Sequence, residues 1–120
     1  MNKVAVVGSR TYRDYNRVKE ELDKLNIQLI ISGGAPGADF LAQEYARHNG
    51  LPILIFYPDW RIGKSAGFVR NEKIVSNADI VIAFWDGKSK GTLDSINHAK
   101  RLNKQLIIVS DANSKQKGEV

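Results

Sequence analysis

Ile30-Ile31-Ser32-Gly33-Gly34-Ala35-Pro36-Gly37-Ala38-Asp39 is an apolar run that breaks into a glycine-rich turn and then into a segment of helical periodicity. A strand that ends in such a turn and feeds a helix is the architecture of an anion site. Glycine lets backbone N–H groups come close to a ligand, and the first helical turn adds unpaired donors and the positive end of its dipole. The spacing is neither G-x-G-x-x-G nor a P-loop, because no Lys-Ser/Thr closes it. On this segment alone a second reading stands beside the first: Gly33, Gly34 and Gly37 only turn the chain.

Outward from that stretch the same alternation repeats. Lys3 to Val7 is a short β-branched run ending in Gly8-Ser9-Arg10. Tyr15, Val18, Leu22 and Leu25 then recur at helical spacing behind Asp14, a candidate N-cap. After the glycine turn, Leu41, Ala42, Tyr45 and Ala46 share one helical face, and Gly50 stands where a helix-ending glycine is expected. Pro52 to Tyr57 reads as a third strand, followed by the polar loop Pro58 to Gly67 with Trp60 in it. A helix is expected from Ala66 to Ser76, a strand from Ile80 to Trp85, and a second glycine-containing turn at Asp86-Gly87-Lys88-Ser89-Lys90-Gly91-Thr92. The helix it opens carries Thr92, Ile96, Ala99 and Leu102 on its inner face, and Gln105 to Val109 supplies a fifth strand.

Strands that are apolar throughout and separated by helices belong to a parallel sheet covered on both faces. The fold class is therefore α/β, a three-layer sandwich with a five-stranded, mostly parallel, Rossmann-like sheet. One domain is expected over residues 1–112, with a flexible polar tail at 113–120. In such sheets ligands bind beyond the carboxyl ends of the strands. Every unusual loop falls on that edge, which favours the ligand reading of the glycine turn.

The chain has 120 residues, a net charge of +5 and a pI near 9.6, which favours anionic partners without choosing among them. It has no cysteine, which excludes disulfides and thiolate chemistry and suits a reducing, cytoplasmic setting. His48 and His98 fall in helices without partners at ligand spacing, so neither a metal nor a cofactor is expected. No run of apolar residues is long enough to span a bilayer. Self-association is open to a domain of this size, but the helix patterns single out no surface for it.

The candidate ligand residues are Gly8, Ser9, Arg10, Ser32, Gly33, Gly34, Gly37, Asp39, Trp60, Arg70, Asn71, Asp86, Gly87, Lys90, Gly91 and Thr92. Arg10 suits a bidentate phosphate contact, Trp60 a stacked base, and Asp39 either a ribose hydroxyl or its own helix dipole. Thr92 serves equally well as an N-cap. No Ser/His/Asp set is present, so any catalysis would rest on Arg70, Asp39, Asp86 or Asp94.

Gly8-Ser9-Arg10, the Ser32 to Asp39 segment, Arg70-Asn71, Ala78-Asp79 and Ala83-Phe84-Trp85-Asp86-Gly87 with Lys90-Gly91-Thr92 together resemble the YspA/cpYpsA-related branch of the SLOG superfamily. The resemblance implies a Rossmann-like fold and a nucleotide or nucleotide-derived ligand. The superfamily also resembles the phosphoribohydrolases that release cytokinin bases and, more distantly, the DNA-processing protein DprA. By that resemblance Arg70 matches the phosphoribohydrolase arginine and Gly91-Thr92 the Gly-Thr of P-G-G-x-G-T-x-x-E, whereas Ser95 stands in place of the glutamate. A serine cannot stabilise a cationic ribosyl centre as a carboxylate does, and Asp94 is turned about 100° around the helix from that position. The expectation is a binding module for a nucleotide-type ligand, with an N-glycosidase as the alternative. Nucleic acid ranks last, because no aromatic-and-basic stripe is evident.

Overall fold

The computed structural model describes residues 1–110; the tail expected at 113–120, and residues 111–112 of the expected domain, lie outside them. Five strands, β1 (Asn2–Gly8), β2 (Ile27–Ser32), β3 (Ile53–Ile55), β4 (Ile80–Trp85) and β5 (Gln105–Ser110), pair in parallel throughout in the order β3-β2-β1-β4-β5. Four helices connect them: α1 (Tyr15–Asp23), α2 (Ala38–His48), α3 (Ala66–Ser76) and α4 (Lys90–Arg101).

The pleat decides which residues meet which helices, because successive side chains of a strand point to opposite faces. Val4 and Val6 of β1 join Ile30, Ile82 and Phe84 under α1 and α2, where Val18, Leu22, Ala42 and Tyr45 close one core. Ala5 and Val7 face the other way with Ile31, Val81 and Ala83, and are covered by Ile74, Val75, Ile96 and Ala99 of α3 and α4. The result is the three-layer sandwich, with a wholly parallel sheet.

Capping follows local chemistry. The Asp14 carboxylate accepts from the Arg17 N–H and starts α1. For α4 the cap is Ser89, whose hydroxyl accepts from the Thr92 N–H, so Thr92 is an early helical residue and not the N-cap. Strand β3 is shorter than its apolar run. The Phe56 N–H still donates to the Ser32 carbonyl of β2, the chain departs after it, and the loop winds into a 3₁₀ turn at Trp60–Ile62, started by Asp59.

The order of strands reverses between β1 and β4, since β1 continues outward to β2 on one side and the chain returns to β4 on the other. The carboxyl ends of these two central strands therefore splay their loops apart. Three loops are tied together at that point. The Ser9 carbonyl accepts from the N–H of Ala38 at the start of α2, and the Ser9 hydroxyl accepts from the N–H of Asp86 after β4. Gly37, at φ 81°, lies so close beneath that a Cβ there would overlap the Ser9 carbonyl oxygen.

This packing separates two glycines of similar backbone conformation. Gly63 has φ 98° but open space around it. In urea unfolding, Gly63→Ala should cost about 1 kcal/mol, the penalty of a left-handed conformation. Gly37→Ala should cost about 3 kcal/mol, because overpacking against the Ser9–Arg10 backbone is added. Equal losses would show that the loop around Ser9 gives way.

Candidate functional site

A cleft of about 300 Å³ opens at the reversal point. Its floor is Val7 and Gly8 at the end of β1, and its walls come from the loops after β1, β2, β3 and β4 and from the first halves of α3 and α4. Of the residues singled out by sequence, Gly8, Arg10, Asp39, Trp60, Arg70, Asn71, Gly91 and Thr92 line it. Ser9, Ser32, Gly33, Gly34, Gly37, Asp86, Gly87 and Lys90 do not.

The glycine turn is occupied from within the chain. The Asp39 carboxylate, in the first turn of α2 and 8 % exposed, accepts from the Ala35 N–H at 3.1 Å and also from the Gly33 N–H. Gly34 donates instead to the Ser32 hydroxyl at 3.3 Å. The donors expected to cradle a ligand phosphate are thus turned to an internal acid. Ser9 and Ser32, both buried, serve the loops themselves.

Arg70 reaches the same turn from α3. Its Nη1 donates to the Gly33 carbonyl at 2.8 Å, and its Nε donates to Asn71 Oδ1 at 3.1 Å. A Cβ at Gly33 would come within 2.7 Å of that guanidinium, so the absence of a side chain there lets the arginine settle against the backbone. Burial pushes Arg70 below its ordinary value, with Asp39 opposing and Arg10 adding to the fall. Burial raises Asp39 to about 6, although its amide partners, Arg70 and Arg10 all favour the ionised form. Two cations therefore lie within electrostatic reach of one buried carboxylate.

The other acids face elsewhere. Asp86 accepts from the N–H groups of Lys88 and Ser89 at 2.8 and 2.9 Å, which closes its own turn and holds its carboxyl below the usual range. Asp94 accepts from the Asn71 amide at 3.2 Å and lies 3.3 Å from His98 Nε2, on the seam between α3 and α4. His98 thus has an acidic neighbour four residues earlier in its helix that the spacing argument passed over. Ser95, buried in the cleft wall, donates to the Gly91 carbonyl. Of the four acid–base candidates only Asp39 and Arg70 reach the cleft.

Lys64, Gly67, Phe68 and Ser89 also line it and were not among the candidates, as does Ser95, the position of the phosphoribohydrolase glutamate. Phe68 stands seven residues before the buried Val75 and so shares its helical face, which gave no signal of exposure in the sequence. It is 51 % exposed, and Tyr57 and Trp60 are exposed to 70 % and 66 %. Tyr57 packs beside Gly34, where a Cβ would approach its ring to 2.8 Å. Aromatic rings and the cations Arg10, Lys64 and Arg70 thus surround one cleft, an arrangement the linear sequence disperses over sixty residues.

A doubly wound parallel sheet with a cleft at its switch point defines a Rossmann-like α/β domain. The chain belongs to the YspA, cpYpsA-related SLOG family, whose model matches residues 2–63. It is 32% identical over 123 residues to the Gene 61 protein of Mycobacterium phage D29, an alignment covering 92% of this chain and 98% of that one. Among solved structures it is similar to DNA processing protein A (DprA) from Streptococcus pneumoniae, with a TM-score of 0.76 and 24% identity. That match covers 88% of this chain but 49% of the other, so the chain spans about half the length of that protein. DprA from Helicobacter pylori, described for its unique single-stranded DNA binding mode, is matched with a TM-score of 0.70 and 24% identity over 98% of this chain and 73% of that one. At such identities the likeness is one of fold.

The low rank given to nucleic acid does not stand. Its ground was a missing aromatic-and-basic surface, which folding assembles, and a protein of the same fold is described for binding single-stranded DNA. Among the described residues no helix is long and apolar enough to cross a membrane.

The buried carboxylate sets a pH dependence of stability. The folded-state value of Asp39, about 6, lies above the ordinary 3.8, so the folded protein binds its proton more tightly than the unfolded chain. Stability from this group is complete below about pH 4 and is lost as pH rises through 6, by up to about 3 kcal/mol. Asp39→Asn, which keeps an oxygen for the Ala35 N–H, should match the parent at about pH 4 and exceed it at about pH 7.5 in urea unfolding. A difference that does not change with pH would overturn this assignment.

Proposed function

We propose that the protein binds single-stranded nucleic acid at the carboxyl edge of its sheet. Phosphates would lie against Arg10, Lys64 and Arg70, and bases would stack on Trp60 and Phe68. The observation that carries this reading is the gathering of exposed aromatic rings and of the cations Arg10, Lys64 and Arg70 around one cleft. Stacking on aromatic faces and neutralisation of backbone phosphates are the two terms from which sequence-tolerant single-strand binding is built. The net charge of +5 works in the same direction. The fold likeness to a DprA described for single-stranded DNA binding supports the reading from outside the chain.

A free nucleotide or nucleotide-derived ligand is a second reading, favoured by the size of the cleft. About 300 Å³ lies at the lower end of small-molecule sites and admits one nucleotide unit, with Asp39 and Arg70 at its inner end. The chemistry of recognition is the same in both readings; the number of units engaged differs.

Fluorescence anisotropy of a labelled oligothymidylate tests the first reading. Three phosphate contacts predict an affinity that falls with salt with a log–log slope of about −2. Trp60→Ala, at an exposed position, should weaken binding by about tenfold, and Arg70→Ala should weaken it and flatten the slope. An oligothymidylate bound no more tightly than thymidine 5′-monophosphate would transfer the function to the second reading. Binding of neither would remove both.

A further inference from the structure

We infer that a second nucleotide subsite lies across the glycine-rich turn from the cleft, so that the smallest ligand filling the site is a dinucleotide whose linking phosphate crosses at Ala35. This inference rests on the proposed function and extends it.

A second groove, of about 520 Å³, runs along the outer side of the turn between Gly34 and Gly37. Ala35 lines both this groove and the cleft, so the two are separated by the width of one small residue. Successive phosphates of a strand are about 6 to 7 Å apart when extended, a span comparable to two residues of backbone, so neighbouring units can lie on either side.

The groove has the components of a base site. Phe40, in the first turn of α2, is 52 % exposed and offers the open face of its ring, although a residue of its size at this place would ordinarily be covered. Arg13 stands at the rim. Its Nη1 donates to the carbonyls of Arg10 and Tyr12 at 3.1 and 3.2 Å, which fixes the guanidinium in place while leaving its other donors to a phosphate. Gln43, one helical turn beyond Phe40, lines the same groove with an amide that can both donate to and accept from a base edge.

The occupant follows from continuity and charge. A strand seated in the cleft against Arg10 continues over a residue shared by both cavities toward Arg13, and the groove between them is apolar with one cation at its edge. An apolar peptide would leave the Arg13 donors unused, whereas a base with its phosphate engages ring and guanidinium together.

The test compares thymidine 5′-monophosphate with the dinucleotide pTpT by isothermal titration calorimetry on the full chain. The expected result is an affinity for pTpT about tenfold above that for the monophosphate in the parent, a ratio that Phe40→Ala brings close to one without changing the monophosphate affinity by more than about twofold. Arg13→Ala should reduce the same ratio. Phe40 is half exposed, and matching urea midpoints show that the variant is folded. A ratio that survives Phe40→Ala overturns the second subsite and leaves the proposed function intact. A dimer in sedimentation that Phe40→Ala converts to monomer also overturns it, because a second copy of the chain then covers the groove. Failure of the parent to bind either probe overturns the proposed function and this inference with it.

Discussion

A buried carboxylate closes the glycine-rich turn that organises the site. Asp39 takes the N–H groups of Gly33 and Ala35, and Arg70 takes the Gly33 carbonyl, so that both polar edges of the turn are satisfied by the chain's own side chains. The arrangement holds the half-buried turn in one conformation, since a backbone donor shielded from water and left without a partner costs roughly 1–3 kcal/mol. Ser9 completes the closure: one residue joins β1 to the start of α2 through its carbonyl and to the loop after β4 through its hydroxyl.

Internal closure changes the place at which a ligand can act. With the amides of the turn engaged, the attraction for an anion passes to side chains, and these sit around the rim: Arg10, Lys64 and Arg70. Rim cations suit a ligand that lies across an opening. A backbone cradle suits one buried within it. The exposed rings of Trp60 and Phe68 belong to the same surface: Trp60 is there because β3 ends early and the chain turns outward through a 3₁₀ segment with no buried residue, and Phe68 stands in the first turn of α3 that follows.

The fold was legible in the sequence because the central strands β1 and β4 are buried on both faces, so that their apolar runs had no competing interpretation. Val4 to Val7 and Ile80 to Phe84 are the clearest cases. The glycine turn was legible as a feature but not in its direction. Strand, glycines and early helical acid are the same letters whether the amides face a ligand or Asp39, and only the fold brings the acid back over the turn four residues earlier. Thr92 and Asp86 were ambiguous for the same reason: a hydroxyl or carboxylate at a helix entrance can serve the loop or a ligand, and Ser89 and the Asp86 turn resolve both toward the loop. The aromatic rim joins Trp60, in a loop without a period, to Phe68, on the same helical face as the buried Val75, so spacing could not assemble it.

The position of Asp39 couples the closed turn to whatever the rim holds. An anion placed between Arg10 and Arg70 would compete with Asp39 for the same two charges, and like charges at short range raise the cost of ionising the carboxylate. Its value, already near 6, would move upward on occupancy, so that binding near neutral pH draws a proton into the turn. The protonated acid keeps one oxygen for the Ala35 N–H, which allows the turn to stay closed while the site loses a negative charge. The carboxylate that holds the glycine turn would therefore yield its electrostatic role to a phosphate at the rim without giving up the hydrogen bond that shapes the loop.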